Sequence, residues 1–252
     1  MARAALPRRL TWEVLPVVGH EQLTPKTWRV SVSPDGLEQH LAGQHVDVRL
    51  TAPDGYRAER SYSIASAPER GALDLVVERL EDGEVSPYLT DVLAVGDQLE
   101  LRGPIGGYFV WHAELGGPLQ LIAGGSGVAP FLAMLDHHRA AGSDAPARLL
   151  YSSRTLAEVI EREQLEQHRR RGVGVEITLT RERPEGWAGR VGRADAAMLQ
   201  AVSFPPEVAP HVFVCGPTAF VEAVADSLVG IGHSPARIKT ERFGGMEDRS
   251  RG

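Results

Sequence analysis

Cysteine is almost absent from this chain of 252 residues: Cys215 stands alone. One thiol excludes a disulfide framework, a cysteine-ligated iron–sulfur cluster carried within the chain, and a structural zinc site with several thiolates. Long apolar runs are missing too, and none approaches the roughly 20 residues of a membrane-spanning helix. The N-terminal stretch MARAALPRRLTWEV has the Arg8-Arg9 pair of an export signal, but Glu13, Pro16 and His20 interrupt the residues after that pair. No apolar signal core forms, so the expected location is the cytoplasm. A basic excess is lacking as well, since the formal net charge is −6, which argues against nucleic acid as the main partner. There is no internal repeat. The composition is 42% hydrophobic and 24% charged, which suits a globular core, and the length accommodates two modest domains or one large one.

Two different grammars divide the chain. Up to about Gly107 apolar residues alternate, as in TWRVSVSP, HVDVRLTAP, LDLVVERL and DQLELRGP, which is the pattern of half-buried strands. Turns at Pro34-Asp35-Gly36, Pro53-Asp54-Gly55 and Glu81-Asp82-Gly83 separate them, and one helix is expected near Val85 to Leu93. This half predicts an antiparallel Greek-key β-barrel, residues 1–115. Beyond it, apolar strands alternate with helical patterns, from LQLIAGG through LAEVIEREQLEQHRRRG to ARIKTERF. That alternation predicts an α/β domain with a parallel sheet, residues 116–252, joined through Gly116-Gly117-Pro118.

In the second half, LIAGGSGVAPFLAML reads as strand, glycine turn and helix. Gly125 and Gly127 fill the first two places of the dinucleotide fingerprint G-x-G-x-x-G, but Pro130 holds the third. Proline in a first helical turn loses no needed amide, and its fixed torsion starts the helix. A hydrolase elbow G-x-S-x-G around Ser126 fails because Val128 stands where glycine is required. In the barrel half, ERSYSIAS puts Arg60 and Tyr62 on one strand face and Ser61 and Ser63 on the other. DGEVSPYL sets Gly83 in a turn and Ser86 at a helix start, a place for a phosphate or simply a cap ahead of Pro87. His137 and His138 are adjacent and point to different faces, with no partner four residues on, so no metal site is expected. HRRRG, from His168 to Gly172, reads as a helix C-terminus that could also help dock an acidic protein.

Three of these motifs, in this order and spacing, resemble the ferredoxin-NADP reductase-like flavoproteins: R-x-Y-S at Arg60 to Ser63, G-G-x-G-x-x-P at Gly124 to Pro130, and C-G-P at Cys215 to Pro217. The resemblance covers the chain from about Trp12 to Phe243. It implies that Arg60 clamps a flavin pyrophosphate, its planar fork suiting a bidentate contact. Tyr62 lies against the isoalloxazine, Ser63 sits near flavin N5, and Gly83, Val85 and Ser86 complete the cradle. Val77 and Glu78 flank the cofactor. Gly125, Gly127, Val128 and Pro130, with Cys215, Gly216 and Pro217, border the nicotinamide nucleotide. Ser63, Cys215 and Glu241 form the catalytic set, with Cys215 positioning the ring and not attacking it. Glu241 and Phe243 match the family's C-terminal acid and aromatic. Residues 244–252 run past Phe243, which leaves open whether Phe243 or the tail covers the ring.

Ser152, Ser153 and Arg154 come after the second strand of the sheet with no carboxylate before Glu158, which favours NADPH over NADH. FAD is expected ahead of FMN. The implied function passes hydride from NADPH to FAD and then single electrons to a separate ferredoxin or iron–sulfur oxygenase component, because the chain cannot ligate a cluster itself. A small-molecule acceptor (quinone, ferric chelate, flavin or oxygen) is the alternative within the same chemistry. A non-catalytic flavin-binding electron-transfer subunit is the alternative from another class. A monomer is expected.

Overall fold

A computed structural model describes residues 10–243; the Arg8-Arg9 pair and the tail from Gly244 lie outside the described residues. The first unit contains β1 (Trp12–Thr24), β2 (Thr27–Val32), β3 (His45–Thr51), β4 (Arg57–Ser63), β5 (Leu73–Glu78), α1 (Ser86–Asp91) and β6 (Gln98–Ile105). The second contains β7 (Leu119–Gly124), α2 (Ala129–Ala140), β8 (Ala147–Ser153), α3 (Arg162–Arg170), β9 (Gly174–Leu179), β10 (Arg190–Val191), α4 (Ala196–Val202), β11 (His211–Pro217), α5 (Thr218–Gly230) and β12 (Ile238–Phe243). No described helix is long and apolar enough to cross a membrane.

The first six strands pair antiparallel in the order β4-β3-β6-β1-β2-β5. A bridge between Ile64 and Leu75 joins the two ends and closes the sheet into a barrel. Period-2 alternation turns Val30, Val32, Val46, Val48, Leu99 and Leu101 inward, all at 1% exposure or less. The long β1 has no sequence expectation behind it, because Pro16 interrupts its pattern. In the structure Pro16 falls where β1 stops pairing with β6 and passes to β2 from Val17 onward, so its missing amide costs no ladder bond.

The second sheet runs β10-β9-β8-β7-β11-β12, with every pair parallel. After β7 the chain moves to β8 on one side, while β11 lies on the other. This is the switch point outside whose carboxyl ends ligands bind in open α/β sheets. Gly125 to Gly127 come directly after β7 and Cys215 to Pro217 end β11, so the two glycine motifs meet at that crevice, with Cys215 opposite Ala123.

The helix expected from Leu156 to Gly172 is divided. A short 3-10 turn spans Leu156–Glu158, Glu161 takes a left-handed conformation at φ 53°, and α3 begins only at Arg162. The cause lies outside the segment: Arg29 of β2 pairs with the Glu161 carboxylate, and Val159 and Ile160 are buried between the two units. Ala42, Ala65, Val76, Phe109 and Trp111 from the barrel side share one apolar cluster with Phe131, Met134 and Phe213. Phe109 meets Phe213 edge-on at 5.3 Å, a geometry worth about 0.5–1.5 kcal/mol beyond burial. His137 pairs with Glu69 at 2.6 Å across this seam, while His138 stacks on Trp111 and hydrogen-bonds the Ala145 carbonyl. The end of α3 is as expected, with Arg169 and Arg170 in the last turn and Gly172 at φ 96°.

Candidate functional site

Two clefts meet where the barrel rim faces the switch point. The first, about 360 Å³, is lined by Arg60, Ser61, Tyr62 and Ser63 of β4, by Val76, Glu78 and Leu80, and by Gly83 to Ser86. The second, about 180 Å³, is lined by Gly124, Gly125 and Ser126, by Ser152, Ser153 and Arg154, and by Lys26 and Thr27 of the barrel. Glu78, Ser126, Arg154, Pro217 and Phe243 border both, so the clefts are continuous. The Ser126 hydroxyl donates to Glu78 at 2.7 Å, tying the glycine loop to the barrel.

The cradle for an anion is built by close approach. A Cβ at Gly83 would lie 2.9 Å from Ser86 Oγ and 3.1 Å from the Leu80 carbonyl oxygen, so glycine is needed there for packing. Ser86 opens α1 but does not cap it; Val85 occupies the cap position, and Ser86 Oγ accepts from the Leu80 amide at 3.1 Å. The expected capping role is therefore replaced by a clasp on the turn. Among the described residues the Glu84 and Val85 amides donate to no backbone carbonyl, leaving donors beside the Arg60 cation. Those features fit a pyrophosphate. Arg60 is held at present by Glu84 at 3.1 Å, whose other oxygen accepts from the Tyr56 hydroxyl at 2.6 Å. Tyr62 supplies a half-buried ring, and burial pushes its phenol up to about 12, so it serves as a neutral surface.

The register of β11 and β12 sets Cys215 opposite Glu241 and Pro217 opposite Phe243. Glu241 is close enough to the Ser63 hydroxyl to feel it, its Oε1 lies 3.7 Å from His45 Nδ1, and its Oε2 is buried without a partner. Burial lifts the carboxyl to about 7, against the lowering effect of Ser63. Cys215 is 1% exposed, and burial, aided by the Glu241 charge, pushes its thiol well above the ordinary range, which removes any nucleophilic role at neutral pH. Ser63 of the barrel thus lies near Glu241 of β12, which is in register with Cys215 of β11.

The raised Glu241 carboxyl has a measurable consequence. Above its ordinary value of 4.5 it ionises in the unfolded chain but stays protonated in the folded one up to about 7. Stability contributed by this group therefore falls as pH rises from about 4.5 to about 7 and is flat beyond. Glu241→Gln removes that loss, on the order of 3 kcal/mol. Thermal melts are expected to give the variant a Tm several degrees above wild type at pH 8 and an equal Tm near pH 4.

Some expected residues have other places. Val77 is fully buried in the barrel core, and its neighbour Val76 lines the cleft. The whole run from Leu73 to Val77 is buried, so alternation could not tell the two faces apart. Val128 and Pro130 are buried under the glycine loop and line neither cleft; Pro130 stands in the first turn of α2 as read from its backbone needs. Gly127 lets the loop touch β11: a Cβ there would lie 2.6 Å from the Cys215 carbonyl carbon and 2.8 Å from the Gly216 nitrogen. Gly125, at φ 56°, has nothing within 4 Å of such a Cβ and borders open space. Gly216 packs on Gly124 and Phe220. Ser152 and Ser153 are buried at the end of β8, and Arg154 is exposed beyond them. Residues unread in the sequence include Lys26, Thr180 and Phe220 in the second cleft and Leu80 and Glu84 in the first. Only Glu84 had a signal, through its place between Gly83 and Ser86.

Comparison with known proteins agrees with this geometry. Residues 15–110 match the family described as oxidoreductase FAD-binding domain, and residues 121–226 match the oxidoreductase NAD-binding domain. The chain is 36% identical to ferredoxin–NADP reductase B of Sorangium cellulosum over 80% of its own length and 84% of that protein's. It is 30% identical to the toluate 1,2-dioxygenase electron transfer component of Pseudomonas putida, over 88% of its own length but only 65% of the other's. Among solved structures, the FAD/NAD-binding domain of nitric oxide dioxygenase from Vibrio cholerae superposes with a TM-score of 0.83 at 25% identity, covering 92% of this chain and 98% of that one. The chain spans 55–65% of the length of several relatives that it matches.

Proposed function

The chain belongs to the ferredoxin-NADP reductase-like family of FAD- and NAD-binding oxidoreductases, and from there we propose that it takes hydride from NADPH and passes single electrons to an iron–sulfur protein outside this chain. The observation that supports this is a cleft lined by Arg60, Tyr62 and Ser63 that runs into a second on the glycine loop, with Cys215 and Glu241 in register on the two strands that end at the shared Pro217 and Phe243. FAD, when bound, supplies a hydride acceptor that can release electrons one at a time.

The residues bind and orient. Arg60 and the amides at Glu84 and Val85 would hold the pyrophosphate, Tyr62 would back the ring, and Ser63 would face its N5. Glu241, its carboxyl raised to about 7, would place a group that gains and loses a proton near neutral pH beside Ser63, and buried Cys215 would set the depth of the nicotinamide. Catalysis then rests on placement more than on acid–base chemistry. The second cleft, about 180 Å³, is smaller than the usual 300–1,000 Å³ of a ligand site, and Phe243 stands on the wall that it shares with the first.

NADPH is supported by Ser152, Ser153 and Arg154, which suit a 2'-phosphate. A second reading, NADH, is favoured by Glu158 in the same lining, an acid able to bind ribose hydroxyls. Relatives described as a dioxygenase electron transfer component and as a ferredoxin–NADP reductase support an iron–sulfur acceptor.

Steady-state turnover tests the proposal. NADPH-dependent reduction of both ferricyanide and an added [2Fe-2S] ferredoxin is expected. Reduction of ferricyanide or quinone with no transfer to any iron–sulfur protein would leave the small-acceptor alternative.

A further inference from the structure

The ion pair between Arg29 and Glu161 does more than interrupt a helix. β2 turns Val30 and Val32 into the barrel core, so Thr27, Arg29 and Ser31 share its opposite face. Thr27 lines the second cleft, and two residues further on Arg29 reaches out of the barrel to Glu161, which occupies the cap position of α3. The pair is largely withdrawn from water, the Arg29 side chain being 22% exposed and that of Glu161 13%. Arg29 also holds Glu21 of β1 at 2.8 Å, which fixes the guanidinium from the barrel side.

On the sheet side the pair ends a segment that builds the cleft. Glu158 and Ile160, three residues and one residue before Glu161, belong to the lining; Arg29 and Glu161 do not. The rest of the segment is anchored within its own unit, where the Leu156 amide donates to the Glu182 carboxylate and the Ile160 amide to the Tyr151 hydroxyl at 3.3 Å. Its ionic tie to the barrel comes from Arg29. Glu161 sits at φ 53°, an uncommon conformation for a residue other than glycine, and its side chain makes no capping bond to α3. The carboxylate serves the other unit instead of its own helix.

The segment carries a charge that matters to a nucleotide. Lys26 and Arg154 in the cleft suit a phosphate, whereas the Glu158 carboxylate suits ribose hydroxyls and repels a 2'-phosphate. How strongly Glu158 counts depends on how firmly it is kept in the wall. We propose that the Arg29–Glu161 pair is a positioning device for nucleotide selection: it holds Glu158 in the lining of the second cleft, tempering the preference for a 2'-phosphate that Arg154 confers. The inference rests on the nucleotide site of the proposed function.

The test reads equilibrium binding of NADP+ and NAD+ to the full chain with its flavin by calorimetric titration, which needs no turnover. Arg29→Met is expected to weaken NAD+ binding about tenfold and to leave NADP+ binding nearly unchanged, so the ratio of the two dissociation constants moves about tenfold toward NADP+. Glu161→Asn is expected to produce the same shift; asparagine tolerates a left-handed backbone and caps helices well, so the fold is not at risk. The double variant is expected to match either single one, and Arg29→Met in a Glu158→Gln background is expected to add nothing. Glu21→Gln, which removes the partner of Arg29 within the barrel, is expected to leave the ratio at its wild-type value. A ratio unchanged in both Arg29→Met and Glu161→Asn, whatever happens to Tm, would reduce the pair to a structural tie and overturn the proposal. Shifts that add in the double variant, or that persist without Glu158, would also overturn it. Wild-type protein that binds neither nucleotide would instead overturn the nucleotide site itself, and this inference with it.

Discussion

Gly127→Ala is expected to raise the KM for NADPH about 100-fold while the protein retains its flavin. The argument is steric. The added methyl would lie 2.6 Å from the Cys215 carbonyl carbon and 2.8 Å from the Gly216 nitrogen, both backbone atoms that cannot rotate away. Relief requires the glycine loop to part from β11, and overpacking of this kind costs about 1–3 kcal/mol. Because Cys215 is paired with Glu241 across β11 and β12, the same displacement disturbs the place where nicotinamide would meet flavin. Gly125→Ala is the informative control. Its Cβ meets nothing, and its cost comes from φ 56° alone, about 1 kcal/mol. Steady-state kinetics with ferricyanide, alongside flavin content, separates the two. An unchanged KM in Gly127→Ala would show that the loop does not approach the nucleotide.

Arg60→Ala is expected to weaken FAD binding by about 100-fold, read by fluorescence titration of flavin-free protein. A charge-assisted bond to phosphate contributes about 1.5–3 kcal/mol, and each 1.4 kcal/mol is tenfold in Kd. The ion pair that Arg60 makes with Glu84 has both side chains about half exposed and is a weak competitor. Glu84→Gln therefore has the opposite expected sign, a several-fold tighter FAD complex, since it removes an internal carboxylate from the cradle. Weaker binding in both variants would mean that Glu84 itself holds part of the cofactor.

The barrel and the parallel sheet were legible because period-2 alternation and strand–helix alternation are local signals. The site motifs were legible for a related reason: glycines needed for close approach, at Gly83 and Gly127, occur at fixed offsets from the strands that position them. What escaped was decided by tertiary contact. β1 was hidden by Pro16, harmless only because β1 changes partners there. The break before α3 was set by Arg29, more than a hundred residues away in sequence. Val76 and Val77 could not be told apart where β5 is covered on both faces. The second cleft takes Lys26 from a barrel turn whose sequence, TPKT, says nothing about a sheet domain it meets only after folding.

Anaerobic titration of the purified protein with NADPH tests the central claim most directly. The account predicts a yellow protein whose visible flavin absorbance bleaches in proportion to added NADPH, with one equivalent per flavin sufficing, and whose released cofactor is FAD. A colourless protein that takes up no FAD, or a bound flavin that both NADPH and NADH leave oxidised, would contradict it.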